Sequence, residues 1–453
     1  MRYEEYKKGE YDWLPEIPAH WQQLYIQQVS HEQKNKNIGM RENLVLSLSY
    51  GQIIRKKNVD AGLVAKDLST YQIVDKDNII LRFTDLQNDH KSLRTGLVKE
   101  RGIITAAYTC IVPTINAAYL HYALHSYDTR KVFYGMGGGV RQSIGFDDIR
   151  HMYVPVPPRE EQNQIVRYLD WKVSCINKLI HGYQRQIKLL EETKNTILDN
   201  AVFHGIDNRT LSFSGNKLLG NIPEHWNIIK LRSLLTPISV KNHPNEQLLS
   251  VVREQGIIVR DIESKESNHN YIPDDLSGYK LVKKGNFVIN KMKAWQGSYG
   301  VSNYRGIVSP AYYVFSLKHE CPEFFHIAIR CKRYVQFFNQ ASDGIRVGQW
   351  DLSMNRMKEI PFVMPPVEEQ MKIVEYIKAK FAEIDSVKPM LEKEIELLRE
   401  YRTRLISDVV TGQMDVRNIE IPEFEAELDF EADAGNETDE DDDTMNEEAT
   451  TDE

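Results

Sequence analysis

Ile17-Pro18-Ala19-His20-Trp21 recurs as Ile222-Pro223-Glu224-His225-Trp226, and Pro157-Pro158-Arg159-Glu160-Glu161-Gln162 recurs as Pro365-Pro366-Val367-Glu368-Glu369-Gln370. Between these landmarks the order is kept. Gln52-Ile53-Ile54 is echoed by Gly256-Ile257-Ile258, the segment 102–108 (GIITAAY) by 306–312 (GIVSPAY), and Gly139-Val140-Arg141 by Gly344-Ile345-Arg346. The offset stays within 204–208 residues throughout. A repeat of that length means one structural unit used twice, and overlooking it would misassign the whole fold.

Each unit reads as two parts. The first is globular and mixed: residues 78–83 and 102–112 are rich in Ile, Val, Thr and Tyr and read as strands, as do 286–290 and 306–317. Amphipathic helices follow near 117–134 and 323–340. The second part is a long helix opening after Pro-Pro, with two glutamates in its first turn, where they suit the helix dipole. Ile176, Ile180, Tyr183, Ile187, Leu190 and Ile197 step by four and three, and Lys194 fills the remaining place. Ile384, Leu391, Ile395, Leu398 and Leu405 repeat that register 208 residues on, with Lys388 in the slot of Ile180 and Arg402 in that of Lys194. A stripe this narrow suits helix–helix packing. Gly182 and Pro389 fall near the same height and predict a local kink or break in each helix. The fold expected is α+β: a duplicated α/β globular domain plus long helix, with the two helices packed as an antiparallel coiled-coil spacer. The divisions expected are 1–156 and 209–364 for the globular domains, 157–208 and 365–417 for the helices, and 418–453 for a disordered acidic tail.

The net charge of −8 hides an asymmetry. Residues 418–453 carry 17 acids and no Lys or Arg, so the remaining 417 residues hold 57 basic against 48 acidic side chains, a net of +9. A positive body suits a polyanionic partner. The tail is expected either to solubilise the chain or to compete with a polyanionic partner for its basic surface. The four cysteines form no CxxC pair, which predicts neither a zinc site nor a disulfide framework and fits a reducing cytoplasm. No apolar run approaches the roughly 20 residues of a membrane span.

Catalytic patterns are missing from the sequence. It has no GxxxxGK[ST] phosphate loop, no HExxH, no GxSxG, and no Asn-Pro-Pro-Tyr or Asp-Pro-Pro-Tyr segment of an amino-methyltransferase. Gly135-Met136-Gly137-Gly138-Gly139 lacks dinucleotide-loop spacing, and Glu263-Ser264-Lys265 has no suitable upstream acid on a strand to make a nuclease site. The chain therefore reads as a binding protein and not an enzyme, with neither a catalytic residue nor a metal site of its own. Basic, amide and aromatic residues intermix in loop-like stretches at matching places. In the first unit these are Arg55, Lys56, Lys57, Arg82, Lys91, Arg94, Arg141, Gln142 and Ser143. In the second they are Arg260, Lys291, Lys293, Trp295, Gln296, Tyr299, Arg346, Gln349 and Trp350. Arg and Lys pair with guanine or neutralise phosphate, and Gln pairs with adenine, so these are the DNA-binding candidates.

Taken together, the two Ile-Pro-x-x-Trp starts and the two Pro-Pro-x-Glu-Glu-Gln helix openings resemble the specificity subunit of type I restriction–modification enzymes, over residues 12–417. The helix ends, Ala201-Val202 with Gly205 and Asp207 and Val409-Val410-Thr411-Gly412 with Asp415, match the family's style. The resemblance implies that each globular part is a target-recognition domain reading one half of a split site in double-stranded DNA. It implies that the helices are spacers that fix the gap and dock two methylation and two restriction subunits. S-adenosylmethionine, ATP and Mg would be used by those partners, with no cofactor in this chain. The acidic tail departs from the family pattern. The alternatives are a coiled-coil scaffold whose globular heads bind proteins, and a nuclease with an unrecognised site.

Overall fold

The computed structural model describes residues 2–49, 51–56, 67–84, 86, 93–136, 144–253, 255–261, 272–273, 275–346 and 349–425. The chain divides into two compact units, residues 1–184 with 392–453 and residues 185–391. Each unit thus takes one globular part, the half of a long helix that leaves or enters it, and half of the other helix.

Every described strand pairing of the first unit recurs in the second, which has in addition the hairpin of Ser342–Arg346 with Gln349–Leu352. In the first, an antiparallel four-stranded sheet runs Ser30–Gln33, Thr109–Pro113, Ile79–Leu81, Thr95–Leu97; in the second, Leu235–Ile238, Tyr312–Leu317, Asn286–Asn290, Tyr299–Val301. Two small ladders accompany each sheet: Leu46–Ser49 with Gln52–Arg55 and Gln72–Val74 with Gly102–Ile104, repeated as Leu249–Val252 with Gly256–Val259 and Lys280–Val282 with Gly306–Val308. A strand from the start of each globular part, Gln22–Tyr25 or Asn227–Lys230, pairs with its last strand, Tyr153–Val156 or Pro361–Met364. The duplication read from the sequence is therefore a duplication of fold.

The central strand Asn286–Asn290 shows why its sequence, NFVIN, does not alternate. Phe287 and Ile289 belong to the large core shared with Phe315, Phe324, Phe325 and Phe362, while Val288 points the other way, into a cluster with Leu249, Val251, Ile257 and Val314. A sheet covered on both faces asks for apolar residues at every position. Its counterpart Ile79–Leu81 is likewise buried throughout.

Three local expectations are corrected. Residues 102–112 and 306–317 are each two strands in different sheets, split by a turn in which the Tyr108 N–H donates to the Thr105 carbonyl. Gly102 and Gly306 open these segments because a Cβ there would lie 2.7 Å from the Leu44 carbonyl oxygen or 2.4 Å from that of Gln247. The helix near 323–340 is two helices, Pro322–Ile329 and Lys332–Gln340, where the first unit has Ala117–Thr129 and a short 3-10 turn. The long helices are not broken: Arg159–His204 runs through Gly182, and Val367–Val410 runs through Pro389. Pro389 is exposed, so the carbonyl it leaves without a backbone donor faces water, and the cost of that position stays small.

Candidate nucleic-acid interface

The recurrent motifs meet each other in space. In the first unit the Glu161 carboxylate, its side chain only 6% exposed, accepts hydrogen bonds from the Tyr3 hydroxyl (2.6 Å) and the Trp21 indole N–H (3.0 Å), and pairs with His20 Nε2 (2.8 Å). In the second, Glu369 accepts from the Trp226 indole (2.9 Å) and pairs with His225 Nε2 (2.8 Å). The glutamine that follows turns back on the helix opening: Gln162 donates to the Pro157 carbonyl at 2.8 Å, and Gln370 to that of Pro365 at 2.7 Å. Partial burial pushes the Glu369 carboxyl up, but its Trp226 and His225 donors outweigh this and leave it below the usual carboxylate range.

The same Ile-Pro-x-His-Trp segment also receives the end of the other helix. Gly412 (φ +74°) closes the second helix in the left-handed conformation common at helix C-termini, and a Cβ there would lie 2.3 Å from Pro18 Cδ. Gly205 (φ +75°) closes the first helix, with Trp226 3.3 Å from its would-be Cβ. In each unit the motif is thus fixed between the beginning of one long helix and the end of the other.

Within the units the helices run antiparallel in one register. Arg402 donates to the Asn177 side-chain carbonyl (2.6 Å), Lys194 pairs with Asp385 (2.6 Å), and Lys388 pairs with Glu191 (2.9 Å). The residue numbers of all three pairs add to the same total, as a single antiparallel register requires. Asn177–Arg402 in the first unit and Asp385–Lys194 in the second are one contact repeated at the 208-residue offset. The predicted stripe lies at this seam: Ile176, Ile180, Ile395 and Leu405 are buried, and Tyr183, Ile187, Leu190, Ile384, Leu391 and Leu398 are half-buried among exposed neighbours.

The structure sorts the DNA-binding candidates. In the second unit it brings a group of them together. The Trp295 and Trp350 rings lie 5.0 Å apart, Lys291 pairs with Asp351 at 3.1 Å, and the Leu352 N–H donates to the Lys291 carbonyl. Lys293 is exposed and Gln296 half-buried on the same turn. Arg346 and Gln349 oppose each other across the hairpin formed by Ser342–Arg346 and Gln349–Leu352. Arg260 is half-buried at the end of its strand, and its N–H donates to the Leu248 carbonyl. In the first unit the exposed Arg55 pairs with Glu100, while Lys56 and Arg82 are half-buried. Lys57, Lys91, Arg141, Gln142 and Ser143 lie outside the described residues.

Two candidates leave the contact set because both are fully buried. Arg94 donates to the Thr84 carbonyl (2.8 Å) and the Tyr134 hydroxyl (3.3 Å), and its guanidinium lies 5.7 Å from the Tyr134 ring centre. Tyr299 stacks in the core, 4.1 Å from the Phe338 ring centre. Sequence reading missed Lys131, exposed and 4.5 Å from the centre of the same Tyr134 ring, and Met292, 40% exposed between the two lysines. The signal for Met292 was its place in the Lys-Met-Lys run.

Four histidines are held neutral. Burial pushes His121 down to about 4 and His125 to about 3 in the first unit, and His319 and His326 each to about 4 in the second. His319 and His326 accept backbone N–H groups at Nδ1, from Cys321 (3.1 Å) and Val301 (3.0 Å), which requires an unprotonated nitrogen there.

The start of the acidic tail is also corrected. Residues 418–425 are not loose: Gln164 donates to the carbonyls of Val416 (3.1 Å) and Ile419 (2.8 Å), and Ser174 to that of Glu425 (3.0 Å), so this segment lies along the first long helix. Residues 426–453 are outside the described set.

Comparison with known proteins gives a consistent result. Residues 223–397 match the family model described as the type I restriction modification DNA specificity domain. Among curated proteins, a putative type I restriction enzyme MjaX specificity subunit from Methanocaldococcus jannaschii is 24% identical over 318 residues, covering 67% of this chain and 69% of that protein. The type I restriction enzyme MjaVIII specificity subunit of the same organism is 22% identical over 293 residues, covering 60% of this chain and 64% of the relative. A solved chain, described under "Structural basis underlying complex assembly and conformational transition of the type I R-M system", has a TM-score of 0.62 at 13% identity, covering 88% of this chain and 99% of that one. That likeness establishes the fold.

Proposed function

Because the chain belongs to the specificity subunits of type I restriction–modification enzymes, we propose that it reads a split double-stranded DNA site, one half per globular part. The observation that carries this reading is the cluster of Lys291, Lys293, Trp295 and Trp350 in the second globular part, with Lys293 exposed and the other three half-buried. Two copies of one strand scaffold that differ in sequence suit two half-sites of different sequence. The lysines supply phosphate contacts, which fix position and make affinity fall steeply with salt. Arg346, Gln349 and Gln296 are of the types that read guanine and adenine edges, and the tryptophans can pack on a thymine methyl group.

In this reading the chain itself neither methylates nor cuts. Two methylation subunits bring S-adenosylmethionine chemistry and two restriction subunits bring ATP- and Mg-dependent cleavage, docked through the paired long helices that set the gap between half-sites. The test is selection from random-sequence duplex DNA by the chain co-purified with a methylation subunit. Enrichment of two short defined blocks at one fixed spacing supports the reading. A single continuous block, or no enrichment by a stable complex, would overturn it.

A further inference from the structure

The duplication makes the two units controls for each other, and one helix face differs sharply between them. In the first unit the face formed by Gln164, Tyr168, Trp171 and Ser174 is half-buried to buried, with Tyr168 only 3% exposed. The chain's own segment 416–425, VRNIEIPEFE, lies on it, held by the Gln164 and Ser174 hydrogen bonds to its carbonyls. Val416 is fully buried there, and Ile419 and Ile421 are half-buried. In the second unit the equivalent positions, 208 residues on, are Lys372, Tyr376, Ala379 and Ala382, and all four are exposed.

The reason is in the connectivity. Up to Arg417 and Arg209 the two paths are alike, each with an arginine paired to the aspartate two residues before it, Asp415 or Asp207. Beyond that point the second unit's chain turns at once into the strand Leu211–Phe213, which pairs with Asn221–Pro223. In the first unit the equivalent strand, Tyr6–Tyr11, comes from the beginning of the chain. Residues 418–425 are therefore released to cover the helix face in one unit, and among the described residues of the second unit no such segment covers it. A groove of about 460 Å³ remains beside the uncovered face, walled by Tyr376, Leu189, Ile197 and Ile206. Leu189 is 54% exposed, Ile206 40% and Tyr376 39%. Thr193 and Thr196 widen it, where the first unit has the larger Tyr401 and Arg404.

We infer that this uncovered face and groove form a docking site for an extended apolar–acidic segment of a partner protein, of the same chemistry as residues 416–425. The occupied equivalent in the first unit shows which chemistry such a face takes. A segment like 419–425, with Ile between Glu residues, offers apolar side chains to the tyrosine and the exposed aliphatics and a carboxylate to Lys372, although Glu192 also lines the groove. Lys372 stands where Gln164 stands and offers an ammonium donor to carbonyl or carboxylate. Arg209 lies close to Lys372, although Asp207 already pairs with it. Ala379 and Ala382 leave room for a backbone to lie close, though Ala382 lacks the hydroxyl with which Ser174 holds it. This goes beyond the reading of the chain as a DNA-recognition subunit and does not depend on it.

The test uses the full chain and a fluorescent synthetic peptide of residues 413–425. Fluorescence anisotropy is expected to show saturable binding, weakened at least tenfold by Tyr376→Asp and unaffected by Gln164→Ala. Ala379→Asp, on an exposed helix position that folding does not need, is expected to weaken binding similarly. No saturable binding would overturn the proposal, as would equal binding to the Tyr376→Asp and Ala379→Asp chains. So would concentration-dependent dimerisation that disappears on deleting residues 418–453, because a second copy's tail would then be the occupant.

Discussion

Replacing Glu161 by alanine is expected to cost far more stability than the same change at Glu369, although the two residues hold the same place in the repeat. Glu161 serves three donors, and two of them, the Trp21 indole and the Tyr3 hydroxyl, are buried. Hydrogen bonds to a charged acceptor contribute roughly 1.5–3 kcal/mol each, and a buried donor left without an acceptor forfeits its hydration as well. Two such donors give about 4 kcal/mol for Glu161→Ala. At Glu369 only the Trp226 indole is buried, the exposed His225 can turn to water, and the carboxylate is itself 24% exposed. The expectation there is about 1.5 kcal/mol. Because the sites lie in different compact units, a single unfolding midpoint is the wrong observable. Hydrogen exchange read by mass spectrometry on peptides spanning residues 2–30 and 210–235 separates them. Glu161→Ala is expected to accelerate exchange in the first peptide by more than Glu369→Ala does in the second. Equal effects, or a larger effect at Glu369, would refute the idea that buried donor count sets the strength of the clamp.

Gly412→Ala is expected to destabilise its unit by more than 2 kcal/mol, since left-handed strain of about 1 kcal/mol adds to contact with Pro18, whereas Gly205→Ala is expected to cost about 1 kcal/mol; hydrogen exchange by mass spectrometry on peptides spanning residues 2–30 for the first variant and 210–235 for the second checks the order. The four depressed histidines make the fold acid-labile. Between pH 6.5 and about 4 the unfolded chain binds more protons than the folded one, so stability is expected to fall on acidification through that window, and His326→Leu should flatten the slope in denaturant titrations at stepped pH. Arg94→Met is expected to lower the melting temperature without changing the salt dependence of DNA binding. Trp295→Ala with Trp350→Ala is expected to do the opposite, relaxing base preference in one half-site at nearly unchanged melting temperature, as calorimetry and binding to randomised half-sites would show.

The duplication was legible because strict order at a nearly constant offset survives divergence in single residues. The seam of the long helices was legible because a four–three spacing has one physical use. What the motifs do was not. Glu161 and Trp21 are far apart in sequence, and no local rule joins a tryptophan after a proline to a glutamate in a helix's first turn. Residues 102–112 read as one strand because both of the sheets they enter are buried, so the apolar run carries no sign of the turn at Thr105–Tyr108. Gly182 and Pro389 predicted a break, but each costs a fixed few kcal/mol at most, and packing along the rest of a helix of 46 or 44 residues outweighs it. Arg94 in a polar stretch looks like any surface cation; only the fold shows that Tyr134 and Thr84 enclose it. The start of the tail looked loose because its acids dominate its composition, yet Val416, Ile419 and Ile421 suffice to lay it on a helix.

The central claim is that two divergent copies of one domain read two halves of one DNA site. The most direct measurement is a map of methylated adenines in cells that make this chain together with a methylation subunit, taken by single-molecule sequencing of the genome. The account predicts one split motif, two short defined sequences of different identity separated by an invariant gap of unspecified bases. Methylation at a single uninterrupted motif, or at two half-sequences with no fixed spacing, would contradict it.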